Sequence, residues 1–299
     1  MRDLDDLQPS LKWKVFTSRR PGLSRGMPPG ADPGLMWIAN SATLIYGERD
    51  AVLVDTFLTI AQNRALVDAI VFNQRDLTTI YVTHAHGDHF FGLAPVLERF
   101  PQARAVALPQ VVRGMARQVA PEYLARFWRT AFPGQIPERT PIADVLDADA
   151  IDLEGHRLVP IALGSTDAPS STCLHVPSID LVVAGDAVYN GTHLHLTDST
   201  LQSRRTWLSA LDTIDMLEPR YVIAGHKVPE GDDGPRHVDE TRRYLRDFMR
   251  LDDVTMTARE LFEAMLGRYP NRANPGALWS AAQAVKRVRR PQPAAAAMI

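Results

Sequence analysis

Cysteine is almost absent. Cys173 stands alone in 299 residues, which excludes an intramolecular disulfide framework and fits a reducing compartment. Charge of one sign is lacking too: a formal net charge of −2 predicts no polybasic surface, so nucleic acid is a poor match as a partner. No stretch reaches the ~18 consecutive apolar residues that span a bilayer, so no membrane partner is expected. In the first thirty residues Arg2, Lys12, Lys14, Arg19, Arg20 and Arg25 interrupt every apolar run and leave no signal-peptide core, so a cytoplasmic location is the expectation. The remaining balance, 45% apolar and 23% charged, is ordinary for a globular chain long enough for one large domain or two smaller ones.

Histidine is scarce as well, nine in all, yet three fall within residues 84–89. The run Thr83-His84-Ala85-His86-Gly87-Asp88-His89 follows an apolar, β-branched segment, 77–82, that reads as a buried strand. In extended backbone His84 and His86 share a face and can hold one cation between them. A turn at Gly87 would aim Asp88 and His89 at a second position a few Å away. Imidazole and carboxylate together suit Zn²⁺ or a similar transition ion, one or two of them, with Mn or Fe as alternatives. The competing reading is a set of scattered surface histidines.

Residues 1–34 read as an N-terminal arm: a short strand at 11–17, then a Gly/Pro-rich passage, 21–34, serving as linker, surface arm or oligomer contact. Segments 35–46 and 51–55, around a turn at 47–50, form a β-hairpin whose second strand is apolar and ends in Asp55. Thr59 and Gln62 make a capping-box pattern for a helix striped by Leu66, Val67, Ile70 and Val71. A strand at 77–83, a helix at 93–100 and a strand at 104–108 continue an α/β order. Segment 109–136 interrupts it with Tyr123, Phe127, Trp128 and Phe132 at mostly helical spacing. These aromatics either dock helices on the core or form a lid over an apolar substrate pocket.

Short strands return at 142–146, 151–153, 157–163, 171–176 and 181–184, followed by a helix at 201–217 and a strand at 221–224. Two halves of similar parts predict an α/β fold, a four-layer αββα sandwich spanning 35–233 with 109–136 as a helical insertion. A helical extension, 234–290, holds helices at 237–251, from the Thr257/Glu260 cap to 266, and at 277–289. These would cover a sheet edge or a homodimer interface and carry no evident chemistry. The Pro/Ala-rich tail, 291–299, reads as frayed.

Two further strand ends deliver candidate ligands: Val182-Val183-Ala184-Gly185-Asp186 and Tyr221-Val222-Ile223-Ala224-Gly225-His226. Taken singly, each is more often a turn or loop residue. Together with the histidine run, in this order, they resemble the metallo-β-lactamase superfamily of metal-dependent hydrolases over roughly residues 35 to 230. The resemblance implies that His84 and His86 bind a first metal, that Asp88, His89 and His226 bind a second, and that Asp186 bridges them. Asp55 would orient the metal loop without ligating. A hydroxide held between the cations would attack a carbonyl or phosphoryl centre, with Asp88 also assigned the catalytic role.

One expected piece departs from the family pattern. Where the family supplies a third histidine to the first metal, this chain reads Leu163-Gly164-Ser165-Thr166-Asp167. A serine hydroxyl at Ser165 is a poor ligand. Asp167 can replace it, His175 can reach in from the next strand, or the first site is weak or empty. After Asp186, Tyr189, Asn190 and His193 are candidate substrate or oxyanion contacts, with Tyr189 and His193 preferred; an ordinary loop with a packed Tyr is the plainer reading.

The function these readings favour is hydrolysis of a small ester, lactone or amide by a metal-bound hydroxide. The lack of an export signal argues against an antibiotic-destroying enzyme, and the missing basic track argues against a nuclease. Thioester hydrolysis stays open. A non-catalytic binding protein that lost its first metal site is the alternative, and Ser165 speaks for it.

Overall fold

The computed structural model describes residues 10–21 and 37–289. The first nine residues, most of the Gly/Pro-rich passage and the Pro/Ala-rich tail lie outside the described residues.

Strand β1 (Lys12–Pro21) pairs antiparallel with β2 (Trp37–Tyr46) from Lys12↔Tyr46 to Pro21↔Trp37. The expected strand at 11–17 therefore ends four residues too early. Its polar end, Ser18-Arg19-Arg20, has no apolar alternation to announce it and is extended because β2 pairs with it. A turn leads from β2 to β3 (Asp50–Val54), and the Thr59/Gln62 capping box opens α1 (Ile60–Asn73). Then β4 (Asp76–Tyr81), the one-turn α2 (Gly87–Phe90), α3 (Leu93–Arg99) and β5 (Arg104–Ala107) follow, with β3, β4 and β5 parallel.

The insertion is helical as expected. It comprises α4 (Pro109–Gln118), α5 (Pro121–Tyr123), a π turn over Leu124–Trp128 and α6 (Arg129–Ala131). The second half runs β6 (Asp144–Val145), β7 (Ile151–Leu153), β8 (His156–Gly164), β9 (Ser171–Val176), β10 (Leu181–Asn190), α7 (Leu201–Asp215) and β11 (Tyr221–Lys227). It is followed by α8 (Arg236–Val254), α9 (Ala258–Arg268) and α10 (Pro275–Arg289).

The strand order is β6-β5-β4-β3-β2-β11-β10-β9-β8-β7. Its two halves join between β2 and β11 through the single pair Asn40↔His226. Alternation along the strands sends side chains to separate cores. Ile45, Val52, Val54, Tyr81 and Val106 from one half meet Leu158, Leu174, Val176, Leu181, Val183 and Ile223 from the other. The intervening residues Leu44, Leu53, Ile80 and Val82 face outward and are covered by α1, α3 and the insertion. Val182, Ala184, Val222 and Ala224 face outward on the second half, beneath α7 to α10. Three apolar layers between four structural layers make the αββα sandwich.

Two further expectations differ from the fold. Strand β10 does not end at 184 but continues through Asp186 to Asn190, with register shifts against β11 and Gly185 at φ 53°. Asp186 thus emerges within a bulged strand, where the extra twist re-aims its side chain. The C-terminal helices were expected at a sheet edge or a dimer interface. Instead Val238, Tyr244, Leu245, Phe248, Leu278 and Val285 are packed into the outer core of the second half. Among the described residues no helix is long and apolar enough to cross a membrane.

Candidate metal centre

The site gathers where strands of both halves end or bulge. Asp55 closes β3 in left-handed backbone, φ 61°, and is buried. Its Oδ1 accepts the Thr83 N–H at 2.8 Å, and its Oδ2 accepts the Thr83 hydroxyl at 2.7 Å and His89 Nδ1 at 3.0 Å. Because the Thr83 hydroxyl donates to Asp55, its oxygen is left to accept from His84 Nδ1, 3.0 Å away. Hydrogen bonding therefore places the His84 proton on Nδ1 and turns the Nε2 lone pair inward. His226 repeats the device: its Nδ1 donates to the Ala39 carbonyl at 3.1 Å, with Nε2 inward. Such partners on the outer ring nitrogens orient imidazoles for cation binding.

The inward atoms converge. His84, His86, Asp167 and Asp186 each offer one ligand atom, all within 4.8 Å of one another; Asp88, His89 and His226 form a second such group, and Asp55, His84 and His89 a third. His84 Nε2 lies 3.7 Å from Asp186 Oδ2 and 3.8 Å from Asp167 Oδ2, and His86 Nδ1 lies 2.9 Å from Asp167 Oδ2. Asp186 is also 3.3 Å from His89 Nε2 and 2.9 Å from His226 Nε2, so it touches both groups. His84 Nε2, Asp167 Oδ2 and Asp186 Oδ1 are buried and none completes a hydrogen bond of good geometry, Asp167 Oδ2 and Asp186 Oδ1 having only the imidazoles of His86 and His89 close by. Buried polar atoms without well-formed partners are costly, and three aimed at one point fit a bound cation.

Of the two replacements considered for the missing histidine, the fold brings Asp167 to His84 and His86; Thr166 holds its other oxygen at 2.9 Å. Ser165 is half-buried and does not line the cavity. His175 is half-buried on β9, paired with Val182 and Val159, and joins none of the three groups.

Asp88 has company that the sequence did not announce. Its Oδ2 accepts Arg20 Nη2 at 2.8 Å and Asn40 Nδ2 at 2.9 Å, and lies 3.9 Å from His226 Nε2. Burial alone would raise this carboxyl, but Arg20, His89 and His226 hold it well below the usual carboxylate range. Burial likewise opposes protonation of His86, yet Asp167 lifts it to about 9 without a metal. His84, dominated by burial, is lowered to about 4.

A cavity of about 470 Å³ opens over the cluster. Tyr123, Phe127 and Trp128 of the insertion line it, Phe127 and Trp128 also packing on the outer core of the first half, while Arg20 and His195 border it too. Helix α10 also lines it, through Ala277, Ser280, Gln283, Ala284 and Arg287. That helix was expected to carry no chemistry. Its spacing held a clue: small and polar residues at 277, 280 and 284 share one face, while Leu278, Ala281 and Val285 fill the core. Asn40 left only a weak signal, as one polar residue beside Ser41 and Thr43 in a mostly apolar strand. Arg20 left none.

Tyr189 donates its hydroxyl to Asp186 Oδ2 at 3.2 Å and stacks on His226 at 5.2 Å between ring centroids. His193 is fully buried in the cavity wall, its Nδ1 2.9 Å from the Tyr244 hydroxyl. Burial raises the Tyr244 hydroxyl well above its ordinary value, so it stays protonated beside His193. Burial first, and Arg272 second, push His193 down to about 3. A histidine lowered in the fold binds its proton more readily unfolded, so its contribution to stability is lost as pH falls below 6.5. Between about pH 7 and about pH 5, native protein should lose ~2 kcal/mol more stability than His193→Gln. Urea midpoints of both proteins at the two pH values measure this, and equal losses would mean that His193 protonates freely in the fold.

The sequence profile of the metallo-beta-lactamase superfamily matches residues 35–226. A metallo-beta-lactamase family protein from Thermus thermophilus is 24% identical, with 92% of this chain and 93% of that one covered at a TM-score of 0.59. A beta-lactamase domain protein from Burkholderia ambifaria is 17% identical, with 90% and 85% covered at 0.59. A metallo-beta-lactamase from Pontibacter korlensis is 15% identical, with 79% and 95% covered at 0.54. At these identities the likeness is one of fold. No curated protein matches the chain. Because the profile spans well over half of the residues, from the hairpin to His226 itself, this chain belongs to the metallo-beta-lactamase superfamily.

Proposed function

We propose that this chain is a metal-dependent hydrolase of a small, partly apolar ester, lactone or amide. The observation that carries this reading is the convergence of buried ligand atoms on His84, His86, Asp167 and Asp186, within 4.8 Å of one another, beneath a cavity with an aromatic wall. His84, His86, Asp167 and Asp186 would hold a first ion, zinc by the chemistry of the donors and otherwise manganese or iron. Asp88, His89 and His226, sharing Asp186, would hold a second, more weakly because Arg20 and Asn40 already engage Asp88 Oδ2. A divalent ion here supplies Lewis acidity, lowering the pKa of water and polarising a carbonyl oxygen.

The chain's own groups do the rest. Asp55 and Thr83 keep His84 in one tautomer, and the Tyr189 hydroxyl steadies the shared Asp186. Asp88, held ionised by Arg20, is suited to accept a hydrogen bond from water and poorly suited to store a proton. His193, held uncharged by burial, offers a neutral imidazole in the cavity wall. Tyr123, Phe127 and Trp128 receive the apolar part of the substrate.

The test is elemental analysis of purified protein followed by turnover on esters, lactones, amides and β-lactams. At least one transition ion per chain and activity abolished by chelation are expected; protein with no stoichiometric metal sinks the proposal. Phe127→Ala should raise KM for apolar substrates about tenfold at unchanged metal content, the loss of ~1.4 kcal/mol of binding. An unchanged KM would remove the lid from the substrate site. The alternative, a binding protein without its first metal, loses its main support with Asp167 beside His84 and His86.

A further inference from the structure

Behind the wall that carries His193 lies a second, open cleft of about 750 Å³, lined by Arg243, Arg246, Arg268 and Arg272 together with Tyr269 and Asn271. Four guanidinium groups border one cleft in a chain whose net charge is −2. The two carboxylates at its rim are already committed. Asp247 takes Arg268, Arg250 at 3.2 Å and the Tyr269 hydroxyl at 2.7 Å. Glu240 takes His237 at 3.0 Å and Arg236 at 3.7 Å.

Arg243, Arg246 and Arg272 are different. None of the three has a carboxylate within ion-pair distance among the described residues. Arg243 and Arg246 are exposed one turn apart on α8, where like charges repel. Arg272 is half-buried, lies over the rings of Tyr244 and Tyr269 at 5.1 and 5.4 Å, and donates at 2.7 Å only to the carbonyl of Thr192. The carboxylate that Arg272 feels is Glu240, beyond ion-pair distance and already engaged by His237 and Arg236. Partly desolvating a cation without a close counter-charge is unfavourable, and that cost is relieved when an anion occupies the cleft.

We propose that this cleft is a binding site for a compact, doubly charged oxyanion, either inorganic phosphate or the phosphate of a small phosphomonoester. Planar guanidinium forks match tetrahedral oxyanions through paired N–H donors, and the concave cleft suits a small ligand better than an acidic protein surface. The site is separate from the metal centre but shares a wall with it. Ala273 N donates to Gly191 O and His193 N donates to Ala273 O, so segments 191–193 and 271–274 border the Arg cleft on one side and place His193 and Asn274 in the other cavity.

Calorimetric titration of the full chain with inorganic phosphate, and separately with glycerol 3-phosphate, at fixed ionic strength tests this, with chloride as control. Saturable binding of at least one probe is expected, weakened tenfold or more in the double variant Arg243→Gln/Arg246→Gln. Both positions are exposed, so that variant should fold; Arg272→Gln is the second test of the same site. Hydrogen exchange should slow at 191–195 and 271–274 when the probe binds. Tighter binding of glycerol 3-phosphate identifies the phosphomonoester as the ligand class, and tighter inorganic phosphate the free ion. The proposal is overturned by no saturable binding, by a chloride response of equal size, or by binding that survives the double variant with protection confined to the metal centre.

Discussion

Asp167→Ala is expected to lower turnover at least a hundredfold and to remove the ion bound by His84 and His86, while Ser165→Ala changes neither. The family pattern points to Ser165, so the two variants separate pattern from geometry. Asp167 Oδ2 sits 2.9 Å from His86 Nδ1 and 3.8 Å from His84 Nε2, with its other oxygen held by Thr166. Losing one of the ligands leaves two imidazoles and a shared carboxylate, and removal even of a residue that only supports a ligand costs ~10–100-fold in affinity or activity. The cost for a direct ligand should lie at or beyond that range. Asp167→Asn keeps the shape and removes the charge, so it should bind metal more weakly than native protein and better than Asp167→Ala. Metal content after dialysis against graded chelator ranks the three proteins. Full metal retention and turnover in Asp167→Ala would show that the first ion is held without this residue.

The same position marks how far the sequence could be read. The histidine run, Asp186 and His226 were legible because each follows an apolar strand whose alternation is plain, and the four layers were legible from the order of those strands. Asp167 was legible only as one of several replacements, since its loop, 164–170, has no periodicity to aim a side chain. Arg20 was out of reach: it lies 68 positions from Asp88 in sequence, and only the ten-residue pairing of β1 with β2 brings them together. The α10 wall was hidden for another reason. Small residues on a helix face read equally well as close helix packing or as the lining of a cavity, and local pattern does not distinguish them.

Doubt about the metal pair also moves once geometry is considered. Sequence placed the uncertainty at His84 and His86, which lacked their third partner. In the fold that pair has Asp167, whereas Asp88 is shared with Arg20 and Asn40, and a cation there must compete with a guanidinium already 2.8 Å away. Competition of like charges for one carboxylate weakens both contacts.

Gly225→Ala should be as damaging as loss of a ligand, although Gly225 carries no functional group. Strands β10 and β11 run side by side here, and a Cβ on Gly225 would lie 2.0 Å from Asp186 Oδ1, 2.7 Å from the Gly185 carbonyl carbon and 2.9 Å from Asp186 N. Two of these are backbone atoms in a buried sheet, so the strand cannot step aside cheaply. The carboxylate must swing away from His84, His89 and His226, all of which it approaches within 3.7 Å. Overpacking of this kind costs ~1–3 kcal/mol of stability. Displacement of the carboxylate shared by both ligand groups should also release any bound ions. Thermal unfolding with and without added zinc measures the two effects: the native chain should be stabilised by zinc, and Gly225→Ala should melt lower and respond to zinc weakly or not at all. If Gly225→Ala instead kept native zinc stoichiometry, the carboxylate of Asp186 would not be the group that joins the two halves of the site.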